Sequence, residues 1–195
     1  DGDYVLHITP FPKLAATGAG ADRSKLPEPG EPPQVRFPDL QRAELSNGLK
    51  LVLAERHSVP IVDLRLLVDA GYAADQFASP GTASLAMDLL DEGTKTRTAL
   101  EISEELQMLG SSLGTGAELD ACAVYLNTLK DKLDPSLELF ADVVLNPSFP
   151  QSDFERLRQQ TLARIQREKV TPILMAIRVV PGLLYGSDHA YGCPL

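Results

Sequence analysis

The sequence predicts an α+β fold: a mostly antiparallel sheet with helices packed on one face. Three observations carry this. Short alternating apolar runs lie two by two around turn residues, as in Ala43–Leu45, Ser46-Asn47-Gly48 and Leu49–Ala54. Longer amphipathic stretches with helix start and stop signals are interspersed between those runs rather than alternating with them singly. Finally, 195 residues with 44% hydrophobic content suffice for one or two compact domains with a core, and with no tryptophan that core is built from Leu, Val, Ile and Ala.

Along the chain, Tyr4–Thr9 alternates as a strand that Pro10 and Pro12 stop. Residues 13–40 hold Pro27, Pro29, Pro32, Pro33 and Pro38 with few large apolar side chains, and read as an extended linker. A lone strand before a linker is expected to be the stray last strand of a preceding domain, leaving 41–195 as the folded unit. In that unit the Asn47-Gly48 hairpin comes first, with positive φ expected at the turn, followed by a third strand over Pro60–Ala70. Gly71 to Gly81 is a turn-rich connection. Thr82 is expected to cap a helix to Glu92 that Gly93 closes. Thr98 and Glu101 form a capping box for a helix to Leu109, ended by Gly110. Two strands, Ser111–Glu118 and Ala121–Lys130, meet at Leu119-Asp120. Asp134-Pro135 opens a helix to Leu145, Ser152 one to about Lys169, and Pro172 one to Leu183 interrupted at Pro181-Gly182. The predicted order is β-β-β-α-α-β-β-α-α-α.

Composition narrows function. Eighteen Lys and Arg face 27 Asp and Glu, a formal charge of -9. A nucleic-acid-binding surface, which needs clustered cations, and an anionic membrane surface are both poor partners. Cys122 and Cys193 are far apart and make no disulfide framework; Cys122, in an apolar run, reads as a small buried hydrophobe. No apolar run reaches membrane-spanning length. There is no basic-then-apolar leader and no initial Met, so the sequence is expected to be an internal or processed segment, cut short at its C-terminal end.

No catalytic constellation stands out from the residues alone. His7, His57 and His189 are isolated, with no second histidine at helical spacing for zinc. Gly110–Gly116 lacks the Gly-Lys-Ser/Thr end and strand-to-helix setting of a phosphate loop; its glycines fit a strand that bends or that another backbone approaches closely. Asp88 and Asp91 read as a solvated helix face, as do Asp153, Glu155, Arg156, Arg158, Arg164, Arg167 and Glu168.

Several strings in order nonetheless resemble the pitrilysin-type zinc peptidases, the inverted zincins. Leu45–Leu53 resembles that family's opening hairpin, and Gly81–Thr94 its metal-binding helix with both flanks intact. Leu139–Phe149 and Phe154–Arg158 resemble the approach to and opening of its long helix, and Tyr185–Gly192 the loop after it. The resemblance covers about Gln41 to the end and implies one domain of a pitrilysin-type half. Family catalysis uses His-x-x-Glu-His, with two zinc-binding histidines, a glutamate base and a distal glutamate ligand. The corresponding positions here are Ser84, Met87, Asp88 and Arg164, the last uncertain by one residue toward Ile165. A thioether takes no proton from water, and a guanidinium repels a metal ion. An Asp88–Arg164 ion pair in the space zinc would occupy is one expectation.

The resemblance therefore implies a catalytically degenerate half: no catalytic residues, no metal and no cofactor in this domain. Zinc is expected in a catalytic pitrilysin-like half, in the same chain or a partner subunit, within a parent zinc-dependent metalloendopeptidase. This domain would wall a peptide chamber and support the catalytic half. The strand carrying Gly114 and Gly116 corresponds to the family's peptide-edge strand, and its glycines imply a weak hold on peptide substrate. Two alternatives stay open: a scaffold subunit of respiratory-complex core type with no peptidase partner, and a weak residual metal-binding hydrolase using Asp88 with Asp91 or Glu92. The expected location is periplasmic or exported, in a bacterium. Because the proline-rich segment offers little surface to bury against the entropy of ordering it, deleting residues 14–38 is expected to leave the melting temperature nearly unchanged. A loss above about 2 kcal/mol in thermal or denaturant unfolding, a large part of a domain's stability, would show that it packs.

Overall fold

The computed structural model describes residues 30–32, 34, 37–77 and 79–192. The strand expected at Tyr4–Thr9, most of the linker, and Cys193 lie outside the described residues. The chain divides into two compact units, one ending at Glu55 and the other beginning at Arg56.

The first unit carries the hairpin, β1 (Leu40–Glu44) and β2 (Lys50–Ala54), antiparallel with Glu44 opposite Lys50 and Leu40 opposite Ala54. Asn-Gly was expected to supply two positive φ values, but only Gly48 has one, at 83°. The loop is longer than a two-residue turn. The Gly48 N–H donates to the Leu45 carbonyl, and the Asn47 carboxamide oxygen accepts from the Leu49 N–H. A turn followed by one left-handed glycine reverses the chain equally well. The hairpin makes its own two-stranded sheet, so the single sheet expected from the sequence is two.

The second unit is built on a three-stranded antiparallel sheet in the order β3 (Ile61–Val68), β5 (Cys122–Leu129), β4 (Ser112–Ala117). Strand β5 is bonded on both edges, with Leu126 opposite both Leu64 and Leu113. Its Cys122, Val124, Leu126 and Thr128 are buried on one face, the period-two pattern of a half-covered sheet. The other face is mixed: Ile61, Leu67 and Leu129 are exposed on it, and between them the Arg65 guanidinium lies 4.9 Å from the Tyr125 ring centre and donates to Glu118 Oε1 at 3.0 Å, and Asn127 donates to Asp63.

Five helices follow the strands or lie between them: α1 (Thr82–Leu89), α2 (Ala99–Leu109), α3 (Leu133–Leu145), α4 (Gln151–Glu168) and α5 (Pro172–Tyr185). The core joins Met87 of α1 and Phe140 of α3 to Cys122, Val124 and Leu126, with Leu64, Leu66, Leu113, Ala83 and Leu90 packed around them. A second cluster packs Ile102 of α2 against Leu139 and Val143 of α3. A buried triangle of hydroxyls, Ser111, Thr128 and Ser136, joins the start of β4, the end of β5 and α3 through contacts of 2.7, 2.9 and 2.9 Å.

Helix ends explain several departures from the sequence reading. The Thr98–Glu101 capping box forms as expected: the Glu101 carboxylate accepts from the Thr98 N–H at 2.7 Å and Thr98 Oγ1 accepts from the Glu101 N–H. Thr82 does not cap α1. Gly81 takes the cap position with φ 89°, and the Asp75 carboxylate accepts from the N–H groups of Gly81 at 2.9 Å and Ala83 at 3.2 Å. Asp75 belongs to a 3-10 segment, Tyr72–Phe77, where the sequence suggested only turns. That segment is placed by Gly71, where a Cβ would lie 2.4 Å from the Leu119 carbonyl oxygen and the Ala121 nitrogen. Helix α1 stops at Leu89, not Glu92, and Gly93 serves a β-bridge to Thr98 instead of a cap. Helix α3 begins one residue before the expected cap Asp134, whose charge instead meets the positive end of the helix. Helix α5 runs through Pro181. The carbonyl that Pro181 leaves unbonded belongs to the exposed Ile177, within reach of solvent.

The connection from α1 to α2 is held by Asp142 of α3. Its carboxylate accepts from Thr94 Oγ1 at 2.7 Å, Arg97 Nη1 at 2.8 Å, and both Thr96 Oγ1 and Asn146 Nδ2 at 3.0 Å. The hydroxyl of Thr94, with help from Arg97, Asn146 and Thr96, holds the Asp142 pKa down at about 2 against the effect of burial. The folded value lies below the unfolded value of about 3.9. Its stabilisation is therefore complete above that value and is lost as the pH falls toward 2. Asp142→Asn is expected to lower the melting temperature at neutral pH and to flatten its fall below pH 4, measured by calorimetry across pH. The core makes a second prediction. Met87 is 9% exposed between two apolar layers, so Met87→Leu is expected to cost under about 1.5 kcal/mol. Met87→Glu is expected to cost well over that, because its carboxylate has no partner there; denaturant unfolding of both variants measures the difference.

Candidate functional site

Helix α1 divides its residues between two surroundings. Ala83, Met87 and Leu90, spaced four and three apart, pack on the sheet, and Leu89 is 5% exposed. Ser84, Leu85 and Asp88 turn toward α4. Leu85 is apolar yet borders the cleft, and Met87, one of the positions set apart by the resemblance, packs in the core. The residue at the family's base position is thus part of the core, whereas Ser84 and Asp88 line a cleft.

This cleft has a volume of about 560 Å³. One wall is the approach to α1 and its outer face, from Ser79 to Asp88. The other is a stripe of α4, Phe154, Arg158, Thr161, Leu162 and Ile165, at helical spacing, with Arg164 beside it and Arg178 reaching in from α5. Both candidates for the distal position, Arg164 and Ile165, border the cleft. An ion pair between Arg156 of α4 and Glu92, 2.6 Å, ties the turn after α1 to α4.

The charges are arranged unevenly. Arg158 pairs with Glu155 at 3.1 Å, and Arg178 with Glu168. Among the described residues, Asp88 and Arg164 are not joined in an ion pair, and Arg164 makes no hydrogen bond. The pairing expected across the cleft is therefore absent. Asp91, half-buried at the turn after α1, has its carboxyl pushed up chiefly by burial, with the charges of Glu92 and Asp88 adding to it.

The residues present do not fit a zinc ion. A hydroxyl and one carboxylate face the cleft, the thioether faces away into the core, and a guanidinium occupies the distal position. Among the described residues no group of three His, Cys, Asp or Glu side chains is placed to hold a metal ion, so Asp88 with Asp91 or Glu92 has no third ligand beside it. No helix of the described residues is long and apolar enough to cross a membrane.

Gly114 and Gly116 lie on β4, which pairs with β5 alone, so its second edge is free of strand partners among the described residues. A close backbone neighbour was one expectation for these glycines. Instead, a Cβ at Gly116 would meet nothing within 4 Å, and one at Gly114 only the Tyr125 ring at 4.0 Å. His57 belongs to neither wall of the cleft, and His189 stacks with Tyr185 at 5.3 Å and accepts from the Tyr191 N–H through Nδ1. The residue that sequence reasoning missed is Asp75. A cap borrowed from six residues upstream leaves no local spacing to read.

Replacing Ser84 and Asp88 by histidine tests the geometry of the cleft. The double variant is expected to bind zinc poorly, and the triple variant that adds Arg164→Glu to bind it tightly, as read by zinc titration. Equal, tight binding by both would remove Arg164 from the distal position.

Comparison with known proteins places this arrangement. The profile described as Insulinase (Peptidase family M16) matches residues 50–179. The chain is 30% identical over 129 residues to the bovine (Bos taurus) protein named cytochrome b-c1 complex subunit 1, mitochondrial, covering 66% of this chain and 27% of that one. It is 25% identical over 147 residues to the rat (Rattus norvegicus) mitochondrial-processing peptidase subunit beta, covering 75% and 30%. A crystal structure described as a peptidase M16 inactive domain from Pseudomonas fluorescens superposes with a TM-score of 0.76 at 33% identity, over 80% of this chain and 38% of that one. The chain thus spans under a third of these curated relatives. With the matched profile covering most of it, and with no group of metal-holding side chains among the described residues, the chain belongs to the insulinase family, peptidase family M16, as a non-catalytic lobe.

Proposed function

We propose that this lobe is one wall of a peptide-holding chamber whose chemistry is performed by a separate half of the same family, carrying zinc on an intact His-x-x-Glu-His helix, in the same chain or a partner subunit. The observation that carries the reading is the division of labour on α1. Its core-facing residues keep the helix seated, while its cleft-facing Ser84 and Asp88 supply no set of metal ligands. A well-seated helix without a metal centre fits a supporting wall. The inactive domain from Pseudomonas fluorescens, similar over most of this chain, supports the same reading.

The free edge of β4 gives such a wall a means of touching an extended peptide. Backbone groups along Ser112–Ala117 can bond to a strand laid beside them. With Gly114 and Gly116 offering no side chains, the hold is weak and indifferent to sequence. Export to a bacterial periplasm belongs to this proposal, as does zinc in the other half.

A second reading has its own observation: the 30% identity to a cytochrome b-c1 complex subunit. In that case the lobe is a scaffold with no peptidase partner. One experiment separates them. The full-length protein or complex is purified from its host and assayed for bound zinc and peptide hydrolysis. The chamber reading expects zinc and activity, both lost when the His-x-x-Glu-His half is mutated and both kept in a Ser84→Ala/Asp88→Ala variant. Loss of activity in that folded variant would overturn the non-catalytic assignment, and an assembly with neither zinc nor activity would favour the scaffold.

A further inference from the structure

We propose that the cleft between α1 and α4 is an anion-selective peptide subsite, in which Arg164 receives the carboxylate of an acidic side chain while the neighbouring apolar side chains of the peptide rest on Leu85, Phe154, Leu162 and Ile165. The inference deepens the reading of the chain as a peptide-holding wall and rests on it for the class of ligand.

Four observations converge. First, the cleft of about 560 Å³ is the size of sites that hold small ligands or a few peptide residues. Second, cations outnumber carboxylates in the lining. In a protein that carries -9, three guanidiniums and a single carboxylate, Asp88, border this cleft, and with Arg158 paired to Glu155 and Arg178 to Glu168 the charges left over are Arg164 and Asp88. Cations set beside low-dielectric walls focus the field on an anion. Third, only one of the three guanidiniums is available. Arg158 is held by Glu155 and Arg178 by Glu168, whereas Arg164 has no partner among the described residues. A guanidinium offers a planar fork that matches a carboxylate with two parallel hydrogen bonds. Fourth, the hydroxyls of Thr82, Ser84 and Thr161 line the same space and give a bound peptide further donors and acceptors.

The apolar stripe decides against a free inorganic anion, which would gain nothing from Phe154, Leu162 and Ile165. A carboxylate can come from an acidic side chain or from a peptide's C-terminus. The commitment to a side chain follows from the apolar lining: Leu162 and Ile165 flank Arg164 on α4 and offer contacts to peptide residues before and after the acidic one, which a chain end would lack.

The test measures binding of short fluorescent peptides to the full chain by polarisation. The probes are an acetylated and amidated peptide with one glutamate between leucines, the same peptide with glutamine, and the glutamine peptide with a free C-terminal carboxylate. The capped glutamate peptide is expected to bind about tenfold more tightly than the glutamine one, as a charge-assisted pair implies, and less tightly as salt is raised. Arg164→Gln should erase that preference, Arg164→Lys should restore part of it, and Asp88→Asn should tighten glutamate binding by removing a like charge. Circular dichroism and melting temperature confirm that each variant is folded. Equal binding of the capped glutamate and glutamine peptides, or weaker glutamate binding by Asp88→Asn, overturns the proposal. Preference for the free C-terminus alone overturns its choice of side chain. Any of these would leave the non-catalytic assignment standing, since that falls only if hydrolysis by the full assembly survives mutation of the His-x-x-Glu-His half.

Discussion

The second unit depends on β5. It alone in the three-stranded sheet is hydrogen-bonded along both edges, and its buried face supplies Cys122, Val124 and Leu126 to the main core and Thr128 to the hydroxyl triangle. Both α1 and α3 reach the sheet through that face. Their order matters: α3 comes after β5 in sequence, but α1 comes before it, so the seat for α1 is not complete until a strand more than 30 residues downstream is in place. This is a long-range constraint, and it fixes which side of α1 is inside.

With that side fixed, the rest of α1 follows. Eight residues give little more than two turns, too few for a wide apolar stripe and a separate polar one. Once Ala83, Met87 and Leu90 are committed to the sheet, Ser84, Leu85 and Asp88 are left facing α4. The loss of metal chemistry and the packing of the core are thus not independent. A thioether at position 87 is a good core residue in the place where a carboxylate would need a partner, so there the side chain that cannot act as a base is also the one that packs.

How much of this could be read in the sequence differs from element to element. The helix over Ala99–Leu109 was legible because its capping box and closing glycine are local signals, and both appear as expected. The strands were legible from alternation, to within one to three residues at their ends. The N-terminus of α1 was not, because its cap comes from Asp75, in a 3-10 segment that itself depends on the glycine contact at Gly71 with the β4–β5 turn. Which of Leu85 and Met87 faces inward was not legible, because both are apolar and only the location of β5 distinguishes them. The site positions were read by resemblance. The structure groups Ser84, Asp88 and Arg164 on one cleft and turns Met87 into the core, while the missing Asp88–Arg164 contact depends on side-chain placement that no spacing reveals.

The triangle of Ser111, Thr128 and Ser136 has a consequence of its own. Three hydroxyls in a closed ring can each donate to the next, and the protons can circulate in either sense with the same heavy-atom positions. Two proton arrangements of matching geometry leave the ring some orientational freedom although its oxygens are fixed. Deleting one hydroxyl breaks the cycle and takes a partner from the other two, at most cost among the buried Thr128 and Ser136, whereas replacing all three by methyl-bearing side chains removes both demand and supply. The ring is therefore all or nothing. Evolution can leave it by a concerted route but not comfortably by single steps, so the joint it makes between β4, β5 and α3 is expected to persist in this lobe long after the neighbouring cleft has changed its chemistry.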